Sequence, residues 1–209
     1  MGWRIRHKEI MVDFLSYLNS SSCNYILKGG TSLLLCYNLT RFSEDIDLDG
    51  LDKKFFTIVK NFIKLYSNKY YGLSFRIAKD TETVKRAMIH YGGKKPLKVE
   101  VSYRRKSIDL SEYTKINGIL VYNIQSILSM KLNAFNHRDK IRDLYDIVFI
   151  YSHYKYYINS NLLMMLRDAI QYKGLEQFDY LVRTQTDELI DNNELASKFL
   201  FMYYDLGLQ

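Results

Sequence analysis

LKGGTSLLLCYNLTRFSEDIDLDG, residues 27–50, is the stretch on which the fold of the first half of this chain turns. Residues 24–28 read as a short strand closed by Gly29-Gly30. Thr31 is placed to cap a helix running to Leu39, with Leu34 and Leu35 on its apolar side. From Asp45 to Leu48 acid and apolar residues alternate. A period of two puts Asp45 and Asp47 on the same side of a sheet. Clustered carboxylates repel one another, and sharing a hard divalent cation such as Mg²⁺ or Mn²⁺ makes the cluster tolerable. Gly29, Gly30, Thr31 and Ser32 suit phosphates, since glycines permit close backbone approach and a helix N-terminus favours anions. Taken singly, each feature also fits a solvated sheet edge or an ordinary turn.

Outward from this stretch the pattern is mixed. Upstream, Ile10, Phe14, Leu15 and Leu18 share one helical face across residues 8–18. Downstream, residues 53–66 carry Phe55, Val59, Phe62 and Tyr66 at helical spacing. Strands are predicted over 72–78 and 84–91, then over 97–103 after the Gly92, Gly93 and Pro96 turn. In LKVEVSY, Leu97, Val99, Val101 and Tyr103 share one face, leaving Lys98, Glu100 and Ser102 on the other. Beyond Tyr122 the pattern is helical almost to the end. This divides the chain into an α/β part, residues 1–112, and a helical part, residues 113–209, with the boundary inside 107–117. If residues 124–150 form a near-continuous helix, Lys131, Arg138 and Arg142 fall on one basic stripe, at offsets of seven and eleven. The tyrosines and lysines of Tyr151–Tyr157 fit a half-buried helix surface or, alternatively, stacking and phosphate contacts to RNA, and Leu162, Leu163, Leu166, Ala169 and Ile170 fit a core-facing helix.

Composition narrows the class. The 209 residues are long enough for a real core, and 47% hydrophobic with 25% charged residues is the balance of a soluble globular protein. A formal net charge of +7 favours polyanionic partners, nucleic acid first. Cys23 and Cys36 have no metal or redox spacing and read as the reduced thiols of a cytoplasmic protein. Four scattered histidines give no support to a zinc site. The first ten residues lack the apolar core of a signal peptide, and no apolar run is long enough for a bilayer, so no membrane partner is expected.

The order strand, Gly-Gly-Thr-Ser, helix, Asp-Ile-Asp, then a strand with a third acid resembles the nucleotidyltransferase superfamily whose catalytic domain is like that of DNA polymerase β. KGGTSLLL and RFSEDIDL resemble more closely its abortive-infection AbiEii/AbiGii-type toxin branch. KLNAFNHRDKIRDLYDI is similar to that branch's later signature: a lysine, an arginine seven residues on, then Arg-Asp-x-x-Asp. The resemblance runs from Lys28 to Ile147. It implies a polymerase β-like α/β (α+β) domain with a mixed sheet, followed by a mainly helical C-terminal region. It also implies NMP transfer from an NTP to an acceptor, with RNA and particularly tRNA preferred, and an antitoxin encoded nearby. By similarity Asp45 and Asp47 bind the metal, and Glu100 stands where the superfamily places a third acid, usually aspartate. Gly29, Gly30, Thr31 and Ser32 hold phosphates, while Lys131, Arg138 and Arg142 face the nucleotide. Asp143 is the implied active-site acid of Arg-Asp-x-x-Asp, with Asp146 free to pair Arg142; Arg41 and Ser43 precede the metal acids, Arg41 either to pair an acid and shape the loop or to contact the ligand. The glutamate at position 100 keeps open a second reading, a nucleotide- or RNA-binding protein that retains the scaffold without transferase activity.

Overall fold

A computed structural model describes residues 2–208. The chain forms two compact units, Met1–Tyr122 and Asn123–Gln209. The first contains helices α1 (Trp3–Ser21), α2 (Gly29–Cys36) and α3 (Phe55–Tyr66). Its strands are β1 (Tyr25–Lys28), β2 (Ile46–Gly50), β3 (Ser74–Asp80), β4 (Val84–His90), β5 (Leu97–Ser102), β6 (Tyr113–Ile116) and β7 (Ile119–Tyr122). The second unit is helical: α4 (Ile124–His137), α5 (Ile141–Tyr154), α6 (Ser160–Thr184) and α7 (Asn192–Asp205). The N-terminal mixed α/β domain and helical C-terminal region are as the sequence implies. No helix among the described residues is long and apolar enough to cross a membrane.

The seven strands form one mixed sheet in the order β3-β4-β5-β2-β1-β7-β6. β2 is antiparallel to β1 and parallel to β5, and β1 is parallel to β7. One face is apolar because the odd-and-even alternation of each strand agrees: Tyr25, Leu27, Leu48, Val99 and Val101 are buried there. Tyr25 meets the Phe55 ring of α3, and Phe62 of α3 meets Phe14 of α1 edge-on, with ring centres 5.2 Å apart. In the second unit α5 packs against α4 and α7, burying Ile147, Ile150, Leu195, Phe199 and Met202. Leu162, Leu166, Ala169 and Ile170 face that core from α6. Tyr151 is buried, whereas Tyr156 and Tyr157 are exposed.

Several local expectations change. The helix after β1 starts at Gly29 and ends at Cys36, with no side-chain cap, so Thr31 does not cap it. Residues 113–122 form the β6–β7 hairpin on the edge of the sheet, and the first compact unit runs to Tyr122. Asn117 and Gly118 both have positive φ, 49° and 82°, in the two-residue turn that joins the strands. Residues 124–150 are two helices, broken where Arg138 and Lys140 adopt extended backbone. Gln185 holds the break: its amide accepts from Ile141 N and donates to Asp139 O, at 3.0 and 2.7 Å. Lys131 and the two arginines therefore do not share one helical stripe.

Candidate active site

Strand register assembles the acids of the first unit. Lys28 lies opposite Asp47, Asp47 opposite Glu100, and Glu100 opposite Arg86, one rung crossing β1, β2, β5 and β4. Opposite residues share a sheet face, so two acids stand side by side between two bases on the face away from the apolar core. Asp45 immediately precedes β2. Its carboxylate meets Lys98 Nζ at 2.5 Å, and Glu100 is held by the Arg86 guanidinium, whose Nε lies 2.6 Å from Oε2. Asp47 is the more strained acid. Burial pushes its carboxyl above the ordinary range, and Asp45 and Glu100 push the same way, against the partial relief of Lys98 and Lys28.

The loop around these acids is tightly fastened. Gly29 has φ +76°, and a Cβ there would stand 3.1 Å from Asp47 Oδ2. Gly30 lies against Arg41 and Ser43, and a Cβ there would stand 2.7 Å from an Arg41 guanidinium nitrogen and 3.0 Å from Ser43 Oγ. The Thr31 hydroxyl donates to the Asp45 carbonyl and lies 2.9 Å from Ser43 Oγ; the Ser32 hydroxyl donates to Gly29 O at 2.6 Å. Both side chains are buried. The Thr31 hydroxyl thus binds the acid-bearing loop to the start of α2, the Ser32 hydroxyl bonds back to the first residue of the helix, and Gly29 and Gly30 contribute close-approaching backbone. Replacing Gly29 by alanine is expected to cost about 1–2 kcal/mol through the left-handed backbone alone, measured by urea unfolding.

Two residues outside the expected set, Asp49 and Lys28, belong to this face, and a third, His7, braces the loop before Asp45 from α1. Asp49, two residues beyond Asp47, is buried, accepts from Lys28 Nζ at 2.5 Å and from the Tyr122 hydroxyl at 2.9 Å. The continued alternation Asp45, Asp47, Asp49 was its sequence signal. Lys28 was signalled only by its place beside Gly29. His7, in α1, is buried; its Nε2 donates to Glu44 O at 2.8 Å and its Nδ1 accepts from the Tyr91 hydroxyl. Burial holds that imidazole below its ordinary pKa. It pins the peptide before Asp45, and no local sequence pattern pointed to it.

In the second unit the arrangement is an ion-pair cluster. Lys131 Nζ lies 2.6 Å from Asp146 and 3.2 Å from Asp143, both carboxylates being buried. Arg138, more exposed, reaches Asp143 through Nε at 2.7 Å. Burial works to raise the Asp143 carboxyl, but the Arg138 hydrogen bonds and the Lys131 charge outweigh it and hold it below the ordinary range. Asp146 pairs with Lys131, and Arg142 extends to Asp187 before α7. The two bases and two acids around Lys131 balance, so this patch fixes an ammonium in place and is not a basic surface.

For a divalent cation the donors Asp45 and Asp47 fit in kind, being hard oxygens, and the disfavoured anion at Asp47 is one that a cation would relieve. Among the described residues no group of three or more His, Cys, Asp or Glu is arranged to hold a metal ion. Asp45 and Glu100 are turned to Lys98 and Arg86.

A mixed sheet bearing Asp-x-Asp beside a Gly-Gly helix start, followed by a helical region, defines the nucleotidyltransferase class. The model of the family described as nucleotidyl transferase AbiEii toxin, type IV TA system, matches residues 13–202. The chain belongs to this AbiEii/AbiGii toxin family within the polymerase β-like superfamily, and it is an enzyme of nucleotidyl transfer. JHP933 from Helicobacter pylori is similar to it at 32% identity, with a TM-score of 0.81, over 99% of this chain and 92% of that one. A second H. pylori structure, with a provisional nucleotidyltransferase assignment, matches at 30% identity and TM-score 0.79, over 99% and 95% of the two chains. MenT4, a nucleotidyltransferase toxin from Mycobacterium tuberculosis H37Rv, shares the fold at 18% identity and TM-score 0.51, over 92% and 82%. No curated protein matches the chain. The family context supports an NTP substrate and a cognate antitoxin.

Proposed function

We propose that the protein transfers an NMP from an NTP to an RNA acceptor, tRNA foremost, in a divalent-metal-dependent reaction that makes it a toxin or phage-defence effector of the cytoplasm. The observation that carries this reading is the rung Lys28–Asp47–Glu100–Arg86 with the Gly29 backbone against Asp47. Asp45 and Asp47 would hold Mg²⁺ or Mn²⁺, with Glu100 beside them as the third acid. A bound ion would supply charge neutralisation at the phosphates and ease deprotonation of the attacking hydroxyl.

The chain's own groups do the rest. Gly29 and Gly30 offer backbone N–H groups to phosphate at the start of α2, with Thr31 fastening the helix start to the acid-bearing loop and Ser32 holding the Gly29 carbonyl. Lys28 supplies positive charge next to that backbone, restrained by Asp49. Glu100 takes the proton of the acceptor hydroxyl once Arg86 releases it. In the second unit Lys131 is the phosphate-neutralising ammonium, kept in place by Asp143 and Asp146, and Arg138 and Arg142 flank it in sequence. Catalysis of this kind rests on positioning and charge stabilisation. The antitoxin is a genetic partner that need not bind the protein.

The test is a transfer assay with Mg²⁺ or Mn²⁺, each α-labelled NTP in turn and total cellular RNA. Label is expected in one RNA size class and absent with Asp45→Asn. Label confined to a protein band would replace RNA by a protein hydroxyl. Folded protein that transfers to neither would favour a scaffold kept for binding alone, with the Arg86 grip on Glu100 as the first place to look.

A further inference from the structure

The positive charge of this chain is not shared between its units. Residues 1–122 hold 21 Lys and Arg against 12 Asp and Glu, a net +9, whereas residues 123–209 hold 9 against 11, a net −2. Within the first unit, register collects part of that excess beside the acids. Arg86 lies opposite Glu100, and Met88 opposite Lys98. One strand further out, Arg76 lies opposite Met88. Regular pairing would then set Ala78 against Arg86 and turn Lys79 to the other face. A register shift between Ile77 and Lys79 prevents this: Lys79 stands opposite Arg86, and Asp80 moves opposite Lys85. Bulges of this kind commonly re-aim a side chain near a functional site. Here it brings a second exposed cation onto the site face and sends the only carboxylate of the two strands to the opposite one, where it pairs with Lys85 at 2.6 Å.

We infer that the β3–β4 hairpin is the acceptor track of the enzyme, with Arg76, Lys79 and Arg86 guiding a single-stranded RNA end across the sheet face to Glu100. This rests on the RNA-transferase reading above and adds where the acceptor lies. Three strand spacings separate β2 from β3, about 14 Å, a reach suited to a few backbone phosphates. Arg76 and Lys79 are exposed on the edge strand and, among the described residues, show no carboxylate partner on their face, whereas Arg86 sits at the inner end holding Glu100. Phosphates arriving along the track would draw Arg86 toward themselves and free Glu100 for the acceptor hydroxyl. A nucleic acid fits this surface better than an acidic protein because its cations lead into the site where the acceptor hydroxyl must react.

The experiment measures binding of a fluorescein-labelled 20-nucleotide single-stranded RNA by anisotropy across a KCl series, with Mn²⁺-dependent NTP binding followed in parallel. The variants are Arg76→Glu/Lys79→Glu, the milder Arg76→Gln/Lys79→Gln, and a control, Lys60→Glu/Lys64→Glu, on α3 behind the apolar face. The hairpin reversal is expected to weaken RNA binding at least tenfold and to lower the log–log salt slope by roughly 1.4, two phosphate contacts on a single strand. The glutamine pair should fall between, the control should stay within twofold of wild type, and NTP binding should be unchanged throughout. Equal losses in hairpin and control variants, or none in either, would overturn the track. So would wild-type protein that binds NTP but no RNA, or hairpin variants that keep RNA and lose an acidic protein partner instead. RNA binding that depends on the hairpin in a protein that fails to bind NTP would uphold the track and sink the transferase reading.

Discussion

Asp47→Asn is expected to lower transfer by about 10³-fold, the scale of removing one preorganised electrostatic group from a site, while leaving the protein at least as stable as wild type. The two effects share a cause. Burial, with Asp45 and Glu100 beside it, raises the Asp47 carboxyl above its ordinary value. The folded state therefore binds that proton more tightly than the unfolded chain does. Its contribution to stability is present at acid pH and is lost as pH rises from the ordinary carboxylate range through the raised value. Asparagine never acquires the charge, so thermal midpoints of the two proteins should converge in acid and separate at neutral pH. The variant should be the higher there by about 2–4 °C for each kcal/mol relieved. Transfer within tenfold of wild type, or a midpoint several degrees lower at neutral pH, would remove Asp47 from the centre of the site.

The largest loss of stability is expected from Lys131→Ala. That ammonium faces two buried carboxylates, Asp143 and Asp146. Without it, both carboxylates lose the ammonium that stands between them, 2.6 Å from Asp146 and 3.2 Å from Asp143. Leaving one member of a buried pair uncompensated costs about 3–5 kcal/mol. Urea unfolding followed by far-ultraviolet circular dichroism should show this loss, with Lys131→Arg, which keeps a cation, losing roughly half as much or less. An alanine variant within about 1 kcal/mol of wild type would mean that the cluster relaxes onto other partners. The result also governs how nucleotide binding is read: lost affinity in Lys131→Ala reflects a phosphate contact only if the helices of that unit remain folded.

The sequence exposed what local periodicity encodes and concealed what depends on distant partners. Gly29-Gly30 and the alternation through Asp45 and Asp47 placed a strand, a helix and a second strand because each follows from spacing within a few residues. The β6–β7 hairpin was also written locally, in Asn117-Gly118, a pair that accepts positive φ in a two-residue turn. The break between α4 and α5 was not. HRDKI contains neither proline nor glycine, and the chain turns there with Gln185 supplying the hydrogen bonds from far along the sequence. Likewise, Lys98 against Asp45 and Arg86 against Glu100 follow from strand register, which no single strand specifies. Thr31 and Ser32 look from their spacing like phosphate donors. Their hydroxyls are spent on backbone carbonyls instead, Thr31 on Asp45 O in the loop and Ser32 on Gly29 O in its own helix.

The strand order carries a mechanical consequence. β2, with Asp47 and Asp49, is flanked by paired strands on both sides and lies three places from either edge, whereas β3 is an edge strand exposed on both faces. Opening β2 would require much of the sheet to unzip, while β3 can fray by giving up its ladder with β4 alone. Amide protons at the two ends of this path should therefore exchange on widely different timescales. The residues that must hold atomic positions sit where the backbone is stiff, and those that must accommodate a variable strand sit where it yields.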